Sequence, residues 1–214
     1  MTAAAWLVDL DGTLYDPRPL KVLMGLELLL LGPGSLGAIR AFRAEHEVLR
    51  ELELEADEGP FQLQLERAAS RLGTTPEALE ATVRRWMVER PCRWLPRLRN
   101  RPLLEAIEDH RRLGGRAALV SDYPARRKLE ALGAAGLFEV VVASGEPGGP
   151  RRLKPCPDGY LAAAEGLGVS PAECLVLGDR MDADGEAARR AGMAFHRIRP
   201  GGADLPVAGS SSPR

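Results

Sequence analysis

Five short runs of apolar residues recur along the chain, and each is bounded by Gly, Pro, Asp or Ser. They are rich in Val, Leu or Ile and cover residues 5–10, 117–121, 140–143, 174–177 and 194–198. Runs of this length with such boundaries are typical of buried β-strands. The pattern therefore predicts a sheet whose strands are covered on both faces.

Amphipathic segments with helical spacing lie between most of these runs. They cover residues 103–113, 125–132, 159–167 and 184–191. Strands that alternate with helices indicate βαβ units, and βαβ units build parallel sheets with helices on both faces. The predicted fold class is α/β, with a doubly wound, mainly parallel, five-stranded Rossmann-like sheet.

One interval, residues 15–101, breaks the alternation because it has helical spacing almost throughout. Charged amphipathic segments cover 35–56, 62–72 and 78–89, Thr75 and Pro76 form a good helix start, and Pro91 is expected to end the last helix. We therefore expect a helical cap domain at 15–101, inserted after the first strand of a core formed by 1–14 and 102–199. The Gly-, Pro- and Ser-rich segment 200–214 is expected to be a loose tail.

Charge and apolar stretches restrict the partners and the location. Twenty-nine basic residues nearly cancel thirty acidic ones, so no electrostatic field favours nucleic acid or an anionic membrane. The longest apolar stretch, 22–31, is interrupted by Glu27 and is too short to span a bilayer. Residues 1–8 lack the basic start of a signal peptide, and three cysteines without metal-ligand spacing suit a reduced compartment. We expect a cytoplasmic protein without nucleic-acid or membrane partners; the oligomeric state stays open.

Carboxylates follow two of the predicted strands. Asp9 and Asp11 leave the end of the first strand, and Asp179 follows the fourth. If these strands are neighbours, the three carboxylates converge at one edge of the sheet. Like charges cannot share a site unpaired, and a hard divalent cation with oxygen ligands resolves the repulsion. The predicted cofactor is Mg²⁺.

A hydroxyl and an ammonium group at neighbouring strand ends fit a phosphate. Ser121 ends the second strand, and Lys154, one of the chain's three lysines, precedes Pro155. Lys154 could hold a phosphate and also keep Asp9 ionised. Each residue also has a simpler interpretation when it is considered alone: Ser121 as a turn residue and Lys154 as a surface charge.

These motifs, in this order and at strand ends, resemble the haloacid dehalogenase superfamily, in particular its phosphatase branch with a helical type 1 cap, as in phosphoglycolate phosphatase-like proteins. The motifs are Asp9-x-Asp11-x-Thr13, Ser121 after a strand, Lys154 before Pro, and Gly178-Asp179 with Asp184. The resemblance covers most of residues 4–14 and 103–198. The helical insertion matches this family in position and type alone.

The resemblance implies an activity and a role for each motif residue. It implies Mg²⁺-dependent hydrolysis of a small phosphorylated metabolite, with Asp9 as the nucleophile that forms an aspartyl-phosphate. Asp11 is expected to act as general acid and then as general base, and Lys154 to neutralise charge. The implied substrate-binding residues are Thr13, Ser121 and the adjacent Asp122, and the implied metal ligands are Asp9, Asp11 through its carbonyl, Asp179 and Asp184.

Two departures and two alternatives remain at this stage. Position 122, often Asn in similar sequences, is Asp here, and the loop 144–152 before Lys154 looks longer than usual. A phosphomutase of the same superfamily would also keep Asp11. A phospho-accepting or non-catalytic binding protein on the same fold is the alternative from a different class, although both Asp9 and Asp11 are present. The sequence does not name the substrate.

Overall fold

The computed structural model describes residues 3–200 together with Gly202 and Leu205, and a five-stranded parallel sheet lies at its centre. The strand order is β3-β2-β1-β4-β5. The strands are β1 (Ala5–Asp9), β2 (Arg116–Ser121), β3 (Val140–Ala143), β4 (Cys174–Gly178) and β5 (Ala194–Arg197). The predicted strands are thus confirmed, with ends that differ by at most one residue. The central strand β1 pairs with both β2 and β4, so the ends of the first and fourth strands are neighbours.

Helices fill the chain between β1 and β2. They are α1 (Pro17–Leu31), α2 (Leu36–Glu51), α3 (Pro60–Leu72), α4 (Pro76–Val83), a π-helical stretch (Arg84–Glu89), α5 (Arg90–Cys92) and α6 (Leu95–Leu98). The Thr75 side chain accepts a hydrogen bond from the Ala78 amide at 3.3 Å, so the predicted start of α4 is confirmed. These inserted helices bury an apolar cluster of their own around Phe42, Phe61 and Leu65.

Four further helices cover the two faces of the sheet. They are α7 (Arg101–Arg112), α8 (Arg126–Leu132), α9 (Asp158–Leu167) and α10 (Glu186–Arg190). Ile107 of α7 and Leu129 of α8 pack on one face, and Tyr160 of α9 and Ala187 of α10 pack on the other. Helices on both faces are what buries a parallel sheet, and the predicted doubly wound architecture is confirmed.

Three helix boundaries differ clearly from the sequence-based expectations, while others shift by one or two residues. Pro91 does not end a helix, because α5 continues to Cys92; the π-helical turns before it break the regular hydrogen-bond ladder in which a proline is disruptive. The helix expected over 35–56 ends at Glu51, and Glu53 then adopts a left-handed backbone with φ of 46°. The helix expected over 184–191 begins with the π-helical turn Met181–Gly185. Most of the expected loose tail, 200–214, lies outside the described residues.

The leucine-rich helix α1 has one buried and one exposed side. Leu28 packs into the apolar cluster of the inserted helices, whereas Leu29, Leu30 and Leu31 are 60–79% exposed. Within the described residues, no single helix has the length and apolarity to cross a membrane. Helices α1 and α2 pass that test only when combined with the intervening turn, as a pair bent by 115°.

Candidate active site

Three carboxylates converge where β1 and β4 end. Asp9 is the last residue of β1, Asp179 directly follows β4, and Asp184 lies in the π-helical turn beyond it. One oxygen of each carboxylate lies within 4.8 Å of the others. Gly12 makes this approach possible: its φ is 105°, and a β-carbon at this position would lie 2.3 Å from an Asp179 carboxylate oxygen.

Lys154 places a buried ammonium group among these carboxylates. Its Nζ donates to Asp9 Oδ1 at 2.6 Å, to Asp184 Oδ1 at 2.8 Å and to the carbonyl of Val120 at 3.1 Å. Burial opposes the charge, but Asp184 and Asp9 outweigh it and raise the pKa of Lys154 well above its usual value. Lys154 therefore stays a cation. The alternative interpretation of Lys154 as a surface lysine is wrong, because its side chain is buried.

One ammonium group does not balance three carboxylates. Burial, together with Asp184 and Asp179, raises the pKa of Asp9 well above its usual value, although Lys154 opposes the shift. Burial and Asp184 raise the pKa of Asp179 to about 6. The site thus carries an excess of negative charge on closely spaced oxygen atoms, which is the donor set that a hard divalent cation prefers.

Thr13 contacts the Asp9 carboxylate, and Ser121, the last residue of β2, lines the same cavity as Asp9. The Thr13 hydroxyl donates to Asp9 Oδ2 at 3.0 Å, and the Ser121 hydroxyl accepts from the Tyr123 amide at 3.2 Å. Both side chains are buried. Ser121 thereby keeps its own O–H free to donate to a bound group.

The two remaining site residues have partners that the sequence did not reveal. Asp122 accepts from the Lys154 amide at 3.2 Å and from the Arg50 guanidinium of α2 at 3.1 Å. Asp11 accepts from the Lys128 ammonium of α8 at 2.6 Å and from the Tyr15 hydroxyl. Burial acts to raise the pKa of Asp11, but these two donors outweigh burial and hold it below its usual value.

Helix α2 covers this site with one of its faces. Arg43, His46, Glu47 and Arg50 recur at intervals of three and four residues, so they share a face of the helix. These side chains line one side of a cavity of about 150 Å³, and the carboxylates and Lys154 line the other. The cavity suits a small polar molecule rather than a polymer.

Sequence reasoning missed several residues of this site. The Tyr160 hydroxyl donates to Asp184 at 2.8 Å, and Lys128, Tyr15, Arg50 and His46 surround Asp11 and Asp122. For Lys128 a signal was available, because lysine is rare in this chain and rarity had already singled out Lys154. The contact of Tyr15 with Asp11 is local, over four residues, whereas those of Tyr160, Arg50 and His46 join segments at least 24 residues apart, which periodicity does not reveal.

Comparisons with known proteins agree with this geometry. The family model of haloacid dehalogenase-like hydrolases matches residues 4–192. The chain is 30% identical over 211 residues to the 5-amino-6-(5-phospho-D-ribitylamino)uracil phosphatase of Escherichia coli, covering 94% of this chain and 86% of that one. It is 46% identical over 74 residues to the glyceraldehyde 3-phosphate phosphatase of Methanopyrus kandleri, covering 35% and 30% of the two chains.

A solved structure shares the fold. The magnesium-bound HAD-hydrolase YfnB of Bacillus subtilis superposes with a TM-score of 0.62 at 16% identity, covering 91% of this chain and 88% of that chain. At this identity the likeness concerns the architecture, and the chemistry depends on the site residues described above.

Proposed function

Because the chain belongs to the haloacid dehalogenase-like hydrolases, we propose that it hydrolyses a small phosphate monoester through an aspartyl-phosphate on Asp9. The observation that carries the proposal is the Asp9 carboxylate, buried at the end of β1 and held by Lys154 at 2.6 Å and Thr13 at 3.0 Å. The names of the two relatives described above, both phosphatases, support the reaction class.

The proposed reaction has two steps. In the first, an Asp9 oxygen bonds to phosphorus, the bond from phosphorus to the substrate's alcohol oxygen breaks, and protonated Asp11 gives that oxygen its proton. The negative charge of the bound phosphate favours this protonated form, against Lys128 and Tyr15, which hold the pKa of Asp11 low in the free protein. In the second, a water oxygen bonds to phosphorus while Asp11 takes a proton from the water, and the bond to Asp9 breaks. Inorganic phosphate leaves, and both aspartates return to their starting state.

Neutralisation of the phosphoryl charge is the main task of such a site. Lys154 donates to Asp9 and to Asp184, the buried Thr13 hydroxyl donates to Asp9, and the buried Ser121 hydroxyl lines the same cavity. These groups would contact the phosphoryl oxygens. Asp122 would act beside them by orienting the Lys154 backbone.

The oxygen donors also fit Mg²⁺. We propose that Asp9, Asp179 and the backbone carbonyl of Asp11 hold the ion and that Asp184 supports it; the clustering of the Asp9, Asp179 and Asp184 oxygens within 4.8 Å supports this assignment. When bound, the ion supplies positive charge that offsets the excess of carboxylates and the charge of the phosphate. Asp9 forms the bond to phosphorus, and Asp11 transfers the protons.

We further propose that residues 15–101 act as a cap on a core formed by 1–14 and 102–199. The charged face of α2 over the cavity supports this division. A cap at this place excludes water and contacts the leaving group, so its residues determine which substrate is accepted. Cys92, Cys156 and Cys174 are free thiols, which suits the cytoplasmic location that we propose.

The proposal is tested by following released inorganic phosphate. The wild-type protein would be incubated with Mg²⁺ and a panel of sugar, polyol and aryl phosphates, and we expect release from at least one small phosphate monoester. Asp9→Asn should abolish it, whereas Asp109→Asn, an exposed control on α7, should not. Absence of release across the panel from folded protein, or full activity of Asp9→Asn, would contradict the proposal. Isomerisation of a sugar phosphate without phosphate release would indicate the phosphomutase alternative instead.

A further inference from the structure

The carboxylate of Asp11 is held on one side by two hydrogen-bond donors. Lys128 Nζ and the Tyr15 hydroxyl both donate to the same oxygen, Oδ1. Within the described residues, Oδ2 has no hydrogen-bond partner, and Asp11 lines the cavity beside Asp9. The two carboxylate oxygens are therefore not equivalent in this site.

Lys128 differs from an ordinary helix-surface lysine. It lies on α8, its side chain is 6% exposed, and the Asp11 carboxylate lies 2.6 Å from its ammonium group. A buried ammonium group is costly unless a carboxylate or another acceptor compensates it. Each of these two side chains therefore compensates the charge of the other.

Tyr15, the second donor, lies only four residues beyond Asp11. It follows the β1 motif by a few residues, is 4% exposed, and forms an isolated bridge with Arg99 where the inserted helices return to the sheet. Its ring is part of the apolar cluster on one face of the sheet. The hydroxyl is therefore fixed in place by the packing of its ring.

We propose that Lys128 and Tyr15 are positioning residues for Asp11, which anchor Oδ1 and leave Oδ2 as the oxygen that exchanges the proton with the leaving group and with water. The inference rests on the proposed function, in which Asp11 is the acid and base. A carboxylate with one anchored oxygen keeps its orientation, and a proton-transfer group works only when it reaches the reacting oxygen at hydrogen-bond distance.

The experiment separates proton transfer from binding by varying the leaving group. Lys128→Met keeps the length of the side chain and removes its charge, and Tyr15→Phe removes the hydroxyl alone. For each variant, kcat/KM is measured with an alkyl phosphate, whose alcohol must be protonated on departure, and with an aryl phosphate of an acidic phenol. Since kcat/KM covers the steps up to release of the leaving group, it reports the acid role of Asp11.

We expect kcat/KM for the alkyl phosphate to fall about 10- to 100-fold in Lys128→Met and less in Tyr15→Phe, because a misplaced Asp11 loses most of the roughly 10²–10⁴-fold that general acid catalysis contributes. Loss of Lys128 also raises the pKa of Asp11, so protonation of the carboxyl is not what limits the Lys128→Met variant. For the aryl phosphate the fall should stay within about 3-fold, because an acidic phenol leaves without much protonation. Lys128→Arg should recover part of the alkyl activity, since a guanidinium can also donate to Oδ1.

Matched controls distinguish positioning from a loss of structure. Lys21→Met removes a lysine from the exposed side of α1 and should leave both substrates unaffected. Thermal unfolding shows whether each variant is folded at the assay temperature. Equal losses for the two substrates, or an alkyl activity within 2-fold of the wild type in folded Lys128→Met, would overturn the inference. If the wild type itself releases phosphate from neither substrate class, the proposed function fails and the inference fails with it.

Discussion

The Arg50 guanidinium lies 3.1 Å from the carboxylate of Asp122, and this ion pair joins helix α2 to the end of strand β2. The other oxygen of Asp122 accepts from the Lys154 amide at 3.2 Å. One carboxylate thus connects the proposed cap with the loop that carries Lys154. The negative charge of Asp122 is thus compensated by Arg50 of α2 and does not face the cavity unpaired.

Asp122→Asn should weaken the contact between cap and core. The side chains of Arg50 and Asp122 are only 12% and 10% exposed, so loss of the charge removes the nearer counter-ion of a largely buried guanidinium. Its other partner, the exposed Glu47, lies at 3.5 Å. Asn can still accept from the Lys154 amide, which isolates the effect on Arg50. We expect the free energy of unfolding to fall by about 1–3 kcal/mol and KM for the accepted substrate to rise. Denaturant unfolding and steady-state kinetics measure the two effects.

The double variant provides the control for this pair. Arg50→Met and Asp122→Asn combined should destabilise the protein by less than the sum of the single changes, because the second change removes a group that has already lost its partner. Strict additivity would show that the two side chains do not stabilise each other.

His46 should make the stability of the cap sensitive to pH. Its ring stacks on Tyr123 with centroids 4.4 Å apart, Nδ1 lies 3.3 Å from Gln64 Oε1, and Nε2 lies 3.9 Å from Asp122. Burial lowers the pKa of His46 below its usual value; Asp122 opposes this shift and Arg50 reinforces it. The unfolded chain therefore takes up a proton more readily than the folded one, so this contribution is complete above about pH 6.5 and is lost as the pH falls below it.

The comparison of wild type with His46→Gln separates the contribution of His46 to stability from that of the carboxylates that titrate in the same pH range. Between pH 7.5 and pH 5.5, the midpoint of thermal unfolding should fall further in the wild type than in His46→Gln. Parallel pH profiles for the two proteins would mean that His46 titrates alike in the folded and unfolded states.

Mg²⁺ should stabilise the folded protein as well as support its activity. A ligand that binds the folded state alone adds about 2.7 kcal/mol at a concentration of 100 Kd, and three clustered carboxylates become less repulsive when a cation joins them. We expect Mg²⁺ to raise the unfolding temperature and EDTA to reverse the increase and stop phosphate release. Asp179→Asn should reduce the thermal shift, whereas Asp109→Asn should keep it. Full turnover in metal-free protein would refute the requirement.

The sequence predicted the strands well and the contacts between distant segments poorly. Each strand is a local apolar run, so its ends are visible in the residues themselves. Asp9 and Asp179 lie at the ends of such runs, and Lys154 is one of only three lysines in the chain. The pairing of Lys128 with Asp11 spans 117 residues, and that of Arg50 with Asp122 spans 72. Such contacts depend on the packing of α8 on the sheet and on the position of α2 over the cavity, which no local pattern encodes. Pro91 shows the same limit of local patterns. The rule that proline ends a helix fails here because the preceding residues form π-helical turns.

The last prediction separates the nucleophile from the acid and base. Asp11→Asn leaves Asp9 and Lys154 in contact at 2.6 Å, so the attacking carboxylate is intact, but the group that should activate water is gone. With an aryl phosphate, the first step needs little protonation and should proceed, whereas hydrolysis of the phosphoenzyme should slow by about 10²–10⁴-fold. Rapid mixing should therefore show a burst of phenol followed by slow turnover.

The trapped intermediate makes the assignment of Asp9 directly measurable. Intact-protein mass after rapid quenching should show one added phosphoryl group on Asp11→Asn, and peptide mapping should place it on Asp9. Asp9→Asn should show neither burst nor adduct, because an amide in place of the carboxylate is a poor nucleophile and loses the charge that pairs with Lys154. Asp109→Asn should behave as the wild type and accumulate no adduct. An adduct on Asp9→Asn, or near-normal turnover by it, would mean that another residue attacks the phosphorus. The excess negative charge at the ends of β1 and β4 would then serve metal binding alone.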